Sequence, residues 1–119
     1  MNKREIGNIY EDRSCEILKE QNYKILERNY QNKFGEIDII AKKEQEIIFI
    51  EVKYRKTKNY GYGYEAINKR KLQKIFKLAQ FYIQNEELHN YRVRFDCMSY
   101  LSDDLEWIKN IAWGDEIGF

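Results

Sequence analysis

Apolar residues recur at the spacing of an α-helix in two stretches of the chain. The first stretch predicts a helix from about Asn2 to Gln21, and its apolar stripe contains Ile6, Ile9, Tyr10, Cys15, Ile17 and Leu18. The second predicts a helix from Glu65 to about Glu87, with a buried stripe made of Ile67, Leu72, Ile75, Phe76, Leu78, Ala79, Tyr82 and Ile83. The residues between these helices follow a different pattern.

Runs rich in β-branched and aromatic residues predict strands between and after the helices. The clearest is a hairpin with strands near Glu36–Ala41 and Glu46–Arg55. Further strands are expected at Tyr23–Tyr30, at Tyr91–Leu101 and at Glu106–Trp113, where the last is either a short strand or an irregular element. The order α-β-β-β-α-β-β is typical of a single α/β domain with a mixed sheet flanked by helices.

The hairpin brings charged residues together at the base of apolar strands. A two-residue turn at Glu44-Gln45 would oppose three pairs, namely Ile40 and Phe49, Asp38 and Glu51, and Glu36 and Lys53. Alternation then places Asp38, Glu51 and Lys53 on one face, and the opposite face carries Ile37, Ile39, Ile48, Ile50 and Val52. Like charges that face each other destabilise a sheet, so the opposed acids indicate a bound divalent cation.

Carboxylates suit Mg²⁺, with Mn²⁺ as an alternative, because both ions prefer oxygen ligands. With one His and two Cys in the chain, a structural zinc site is not expected. A cation on Asp38 and Glu51 would activate a water and polarise a phosphate, and Lys53 could orient that water or neutralise developing charge. Glu11 on the first helix is either a further acidic ligand or a solvated acid. For the hairpin charges, the alternative is an ordinary exposed sheet face.

The segment after the hairpin is locally basic. Lys56 to Tyr64 is a predicted loop in which tyrosines alternate with glycines, and a cationic run opens the second helix. Aromatic and cationic side chains together can stack on bases and pair with phosphates. The residues expected to contact nucleic acid are Arg55, Lys58, Lys69, Arg70 and Lys71. A solvated helix face, and a loop whose tyrosines pack on the core, remain the alternatives.

Length, charge and composition mainly narrow the class of protein to which the chain can belong. The length of 119 residues indicates one domain, residues 1–119. The net charge of +1 does not by itself indicate a nucleic-acid binder. No run of about 18 apolar residues is present, so neither a membrane span nor a membrane partner is expected. The N-terminus lacks an apolar signal core, and both cysteines fit buried reduced thiols, so we expect a cytoplasmic protein.

The acidic and lysine residues, in the order helix, Asp strand, Glu-x-Lys strand, helix, resemble the core signature of the PD-(D/E)XK nuclease superfamily. More closely, the chain resembles the YraN-like family of small bacterial proteins with an endonuclease-like fold, over nearly its whole length. The matching positions are Gly7, Glu11, Asn29, Tyr30, Gly35–Ala41, Phe49–Arg55, Lys71, Ala79, Arg94–Asp96 and Glu106–Lys109.

This resemblance implies a restriction-endonuclease-like core, similar to that of archaeal Holliday-junction resolvases. Those enzymes use magnesium with a helix Glu, an Asp and a Glu-x-Lys pair, and the matching positions here are Glu11, Asp38, Glu51 and Lys53. The expected function is a metal-dependent nuclease that hydrolyses phosphodiester bonds of DNA, with branched or junction DNA as one candidate, in replication, recombination or repair. A non-catalytic nucleic-acid-binding or interaction module on a nuclease scaffold is the alternative. A homodimer is a further expectation, because cutting both strands needs two active sites.

Overall fold

A mixed sheet with helices on both faces forms the framework. The computed structural model describes residues 2–57 and 69–111. Its elements are α1 (Lys3–Glu20), β1 (Lys24–Asn32), β2 (Gly35–Lys43), β3 (Glu46–Arg55), α2 (Lys69–Asn85), β4 (Arg92–Leu101) and β5 (Asp104–Ile108). The order α-β-β-β-α-β-β predicted from the sequence is confirmed. Within the described residues, neither helix is long and apolar enough to cross a membrane.

The strands lie in the order β1-β2-β3-β4-β5. Strands β3 and β4 run parallel, with α2 between them in the chain, and the other neighbouring pairs are antiparallel. A parallel pair needs a crossover connection, which explains why a helix separates these two strands in sequence.

Helix α1 has defined caps at both ends. At its start, the Glu5 N–H donates to the Asn2 side-chain oxygen at 2.9 Å. At its end, the Tyr23 N–H donates to the Leu18 carbonyl at 2.9 Å, and Asn22 adopts a positive φ of 71°. The observed helix agrees with the prediction, and its buried side presents Glu11, Ser14, Cys15 and Leu18 to the sheet.

The turn between β2 and β3 follows the predicted geometry. It contains Glu44 and Gln45, and Ile40 pairs with Phe49 as expected. Glu44 adopts a φ of 54°, as the tight hairpin turns that match strand twist require. The hairpin register is therefore confirmed near the turn.

The predicted continuation of that ladder toward the base is wrong. The β2–β3 pairing ends at Ile39 and Ile50. Beyond it, the Val52 N–H donates to Oδ2 of Asp38 at 2.8 Å, so a side-chain carboxylate takes the place of a backbone acceptor. The strands separate before the two remaining predicted pairs, Asp38 with Glu51 and Glu36 with Lys53.

The predicted face of Ile37 is also wrong. Ile37 packs with the α2-side core, whereas Ile39 packs with the α1-side core, so the two do not share a face. On β1, Arg28 pairs with Ile39 and Tyr30 pairs with Ile37. Asn29 lies between these two positions and has a φ of 52°. This left-handed residue interrupts the regular alternation beside Asp38.

Element boundaries differ from prediction near the end of the chain. Strand β5 begins at Asp104 rather than Glu106, because Ser102 and Asp103 make a short turn in which Ser102 has a φ of 53°. The strand ends at Ile108, and the described residues 109–111 have no regular structure, so the predicted continuation toward Trp113 is wrong over those residues. Residues 112–113 of that prediction, and the predicted helix start at Glu65, lie outside the described ranges.

Two apolar cores lie on opposite faces of the sheet. The α2 side contains Ile37, Ile40, Ile47, Phe49, Leu72, Ile75, Phe76, Leu78, Ala79, Tyr82, Ile83 and Phe95. The α1 side contains Cys15, Leu18, Tyr23, Ile39, Ala41, Ile48, Ile50, Met98 and Tyr100. Both cysteines are buried free thiols, as predicted.

A buried ion pair fixes β5 and the segment after it to β4. Asp96 is fully buried and accepts hydrogen bonds from the Arg94 guanidinium, from Trp107 Nε1 and from the Asn110 N–H, each with a contact of 2.9 Å. Arg94 also pairs with Glu46 at 3.0 Å. Since every charged group here has a partner, the Arg94–Asp96 segment has a structural role in holding β5 against β4.

Candidate metal and nucleic-acid site

The charged residues of the hairpin meet where β2 and β3 separate. Asp38 is held there by the Val52 N–H, which fixes one of its carboxylate oxygens. The side chain of Glu51 is 7% exposed, and that of Lys53 is 20% exposed. An acid on β2 and an acid–lysine pair on β3 are thus brought together, even though the ladder between them has ended.

Two ammonium groups share one oxygen of Glu51. The Lys71 Nζ lies 3.5 Å from Glu51 Oε2, and the Lys53 Nζ lies 3.9 Å from the same atom. The other oxygen, Oε1, is buried and has no hydrogen-bond partner among the described residues. An unsatisfied buried carboxylate oxygen is costly, and it marks a position that a cation or water could occupy.

The protonation equilibria of this cluster are strongly perturbed. Burial raises the pKa of Glu51 to about 7, and the charge of Asp38 adds to that shift, while the two lysines oppose it. Burial likewise raises the pKa of Asp38, against the opposing effect of its bond from Val52. Burial lowers the pKa of Lys53, and the adjacent Lys71 lowers it further. Such clustering of perturbed groups is typical of functional sites.

The pKa of Lys71 shifts in the opposite direction to that of Lys53. Burial alone would lower its pKa, but the hydrogen bond with Lys53 and the negative charges of Glu51 and Asp38 raise it. Lys71 therefore carries the firmer positive charge of the two lysines. The sequence placed it on a nucleic-acid surface, and the structure brings it into the carboxylate cluster.

Glu11 is buried at 6% exposure, so its interpretation as a solvated acid is wrong. Its Oε1 accepts from Arg28 at 3.1 Å and from the Asn29 amide at 2.9 Å. Burial raises the pKa of Glu11, and the charge of Asp38 adds to the effect, although Arg28 and Asn29 counteract it. Glu11 thus faces the same acidic region as Asp38, while two side chains from β1 hold its carboxylate.

A cavity of about 570 Å³ adjoins Asp38 beside α1. It also contains Glu36, which sequence reasoning did not select as a candidate. Burial raises the pKa of Glu36, and the charge of Asp38 adds to that shift. The Glu-x-Asp spacing on β2 was the available signal. The lining residues are Arg4, Gly7, Asn8, Tyr10, Glu11, Asn29, Gln31, Glu36, Asp38, Val52 and Tyr54.

The donor chemistry around Asp38 fits a hard divalent cation that keeps several waters, because the carboxylates of Asp38 and Glu51 interact and one oxygen of Glu51 has no hydrogen-bond partner among the described residues. Across residues 2–57 and 69–111, no three Asp, Glu, His or Cys side chains are grouped closely enough to hold one ion. Each carboxylate instead engages a donor of the protein. A divalent cation would compete with these internal partners for the carboxylates.

The residues predicted to contact nucleic acid differ in exposure and in position. Arg70 is exposed on α2, and Arg55 is half-buried, with its Nη1 donating to the Tyr54 carbonyl at 3.2 Å. Lys58 and the side chain of Lys69 lie outside the described part of the chain. Arg70 is therefore available to a polyanion, whereas Arg55 is the last residue of β3 and its guanidinium is engaged by the backbone.

Comparison with known proteins identifies the group that combines this fold and this cluster. The model of an uncharacterised protein family, UPF0102, matches residues 10–99. A UPF0102 protein of Fusobacterium nucleatum is 71% identical over 119 residues, covering 100% of both chains. Others are those of Persephonella marina, 42% identical over 87% of this chain and 90% of its own, and of Vibrio parahaemolyticus, 38% identical over 91% and 92%.

The chain therefore belongs to the UPF0102 family, which is YraN-like, as its sequence motifs indicated. The matched region includes Glu11, Asp38, Glu51, Lys53 and Lys71. The family description states no activity, so the function must be argued from the site.

Proposed function

We propose that this protein is a metal-dependent nuclease that hydrolyses phosphodiester bonds of DNA. The observation that carries the proposal is the cluster of buried Glu51 with partly buried Asp38 and Lys53 where β2 and β3 separate, with an oxygen of Glu51 that has no partner among the described residues. Two acids and a lysine in partly buried positions are poorly suited to a purely structural role, because their desolvation opposes folding.

Asp38 and Glu51 would hold the divalent ion, and Glu11 would join them directly or through a water. When bound, Mg²⁺ or Mn²⁺ would supply Lewis-acid stabilisation of the phosphate and a more acidic water. The Val52 N–H keeps Asp38 oriented. Lys53, whose pKa burial lowers, lies on the same strand as Glu51 and would orient the attacking water or neutralise charge that develops on the phosphate.

A polyanionic substrate would find cationic support at one end of this cluster. Arg70 is exposed on α2, and Lys71 lies next to it in the chain with its ammonium at Glu51. Phosphate contacts of this kind position a nucleic acid without selecting its sequence. We therefore expect cleavage that depends on DNA structure more than on base sequence, and branched DNA is the first substrate to test.

The test is a cleavage assay on branched, single-stranded and duplex DNA in Mg²⁺ or Mn²⁺. Asp38→Asn and Glu51→Gln keep side-chain shape and should lower the rate at least about a hundredfold. Glu16→Gln is the matched control, because Glu16 is an exposed acid of α1 whose partner is Lys19. It should cleave like the unaltered protein.

Unchanged cleavage in Asp38→Asn or Glu51→Gln would refute the assignment of this cluster. Metal-independent, salt-dependent DNA binding without cleavage would instead support a non-catalytic binding module on the same scaffold. Circular dichroism of each variant shows whether a lost activity reflects lost folding.

A further inference from the structure

The position of Lys71 suggests a role that changes when metal binds, and this inference rests on the proposed function. Lys71 is the third residue of α2 in the described chain, and its side chain is 37% exposed. Its Nζ nevertheless turns to Glu51 Oε2, at 3.5 Å. It is closer to this oxygen than Lys53, which lies on the same strand as Glu51.

Charge balance explains why Lys71 sits there. Asp38 and Glu51 contribute two negative charges, and Lys53 and Lys71 contribute two positive charges, so the cluster is neutral when all four are ionised. A divalent ion would add two positive charges to this neutral group. Since Lys71 and the ion would then repel each other over the same carboxylate, one cation must leave Glu51.

Lys71 is the cation that can leave. Lys53 is the less exposed of the two, and its backbone pairs with Ser99 of β4, which fixes it in the sheet. Lys71 is half-exposed on a helix, and its flexible four-carbon stem allows the ammonium to move without moving the backbone. The neighbouring Arg70 is exposed, so a phosphate bound near the start of α2 would lie within reach of a released Lys71.

We propose that Lys71 neutralises Glu51 in the metal-free protein. When a divalent cation binds Glu51, the Lys71 side chain moves and its ammonium pairs with the substrate phosphodiester instead. Lys71 thus offsets the negative charges of Asp38 and Glu51 in the folded protein before metal arrives. Afterwards it becomes a phosphate ligand, so metal binding and DNA binding are coupled through one side chain.

The experiment uses Ca²⁺, an oxygen-seeking ion, with a branched DNA that carries non-hydrolysable linkages. Ca²⁺ affinity is measured by calorimetry, and DNA affinity is measured with and without Ca²⁺. The proteins are the unaltered chain, Lys71→Met, and Arg70→Gln as the matched control from the adjacent position. Lys71→Gln serves as a second variant if Lys71→Met does not fold.

Removal of Lys71 should raise Ca²⁺ affinity, within the roughly 5–150-fold range typical of coupled sites. Without Ca²⁺, Lys71→Met should weaken DNA binding less than Arg70→Gln does, because the Lys71 ammonium is already engaged by Glu51. With Ca²⁺, the unaltered protein should bind DNA more tightly, and Lys71→Met should lose most of that gain. Arg70→Gln should keep the gain while binding DNA more weakly in both conditions.

Equal Ca²⁺ affinity in the two proteins, or an undiminished Ca²⁺-dependent gain in Lys71→Met, would overturn the inference and leave the nuclease proposal standing. If neither the unaltered protein nor Lys71→Met binds Ca²⁺, Mg²⁺ or Mn²⁺, the proposed function fails and this inference fails with it. Ca²⁺ binding seen only after removal of Lys71 would support the competition directly.

Discussion

Replacement of Glu51 by Gln should stabilise the metal-free protein at alkaline pH and have little effect at acid pH. In the folded chain Glu51 has a pKa of about 7, against an ordinary value of 4.5. A raised carboxyl pKa means that folding favours the protonated form. Its contribution to stability is fully present below about pH 4.5 and is lost as the pH rises through about 7.

The size of the effect follows from the shift. Each pKa unit corresponds to about 1.4 kcal/mol, so ionised Glu51 lowers the free energy of unfolding by about 3 kcal/mol relative to the protonated acid. The side chain is 7% exposed, so solvent screening does not reduce this value appreciably. The amide introduced by Glu51→Gln would resemble the protonated acid at every pH, since an amide of the same shape does not ionise.

The assay is urea unfolding in the presence of a chelator, at intervals from pH 4.5 to pH 8.5. The quantity of interest is the difference in unfolding free energy between Glu51→Gln and the unaltered protein. It should grow by about 3 kcal/mol across this range. For the exposed acid variant Glu16→Gln the difference should stay flat. A flat or decreasing difference for Glu51→Gln would refute the reasoning about its burial and charge.

Three further predictions concern the surrounding framework. Asp96→Leu should lower the free energy of unfolding by about 3–5 kcal/mol in urea titration, because the partly buried Arg94 would lose its main partner. A loss below about 1 kcal/mol would contradict this. Cys97 should resist thiol reagents in the native protein at pH 8 and react after unfolding, because burial raises its pKa to about 12; rapid native labelling would contradict this. Asn29→Ala should lower the free energy of unfolding by about 1–2 kcal/mol, because alanine is strained at a φ of 52° and the hydrogen bond to Glu11 is lost. Asn29→Gly should lower it less, because glycine adopts this φ without strain. Equal losses for the two variants would contradict the role of the backbone.

Regular structure was predictable because local patterns decide it. The α1 stripe reflects a helical period of apolar residues, and the turn at Glu44-Gln45 is a polar gap between two runs of β-branched residues. Strand β4 follows from its own alternating sequence pattern, although both of its faces are buried. Long, strongly patterned elements of this kind leave few alternatives. The element order followed from them directly.

The departures occurred where a single polar side chain overrides the period. Asp38 accepts the Val52 N–H and ends the ladder, and Asn29 adopts a left-handed conformation beside it, so Ile37 moves to the other face. Neither the hydrogen bond of Asp38 nor the left-handed conformation of Asn29 changes the period of apolar residues in the sequence, so neither could be predicted from it. Both lie beside the candidate site, where local sequence rules are expected to fail.

The partners of the site acids were the least predictable feature. Lys71 reaches Glu51, and Arg28 reaches Glu11, from other elements of the chain. Those ion pairs depend on how the two helices pack against the sheet, of which β1 is an edge strand. The acids themselves could be selected from the hairpin and the family motifs. Glu36 was missed because its only signal is its spacing from Asp38 on the same strand.

The most direct test of the account is calorimetric titration of Mg²⁺ or Mn²⁺ into the unaltered protein and into the double variant Asp38→Asn/Glu51→Gln. We expect a divalent-ion site in the first protein that is absent from the second, with both proteins equally folded by circular dichroism. Equal binding by the two proteins, or no binding by the unaltered protein even with DNA present, would contradict the claim that this cluster holds a catalytic metal.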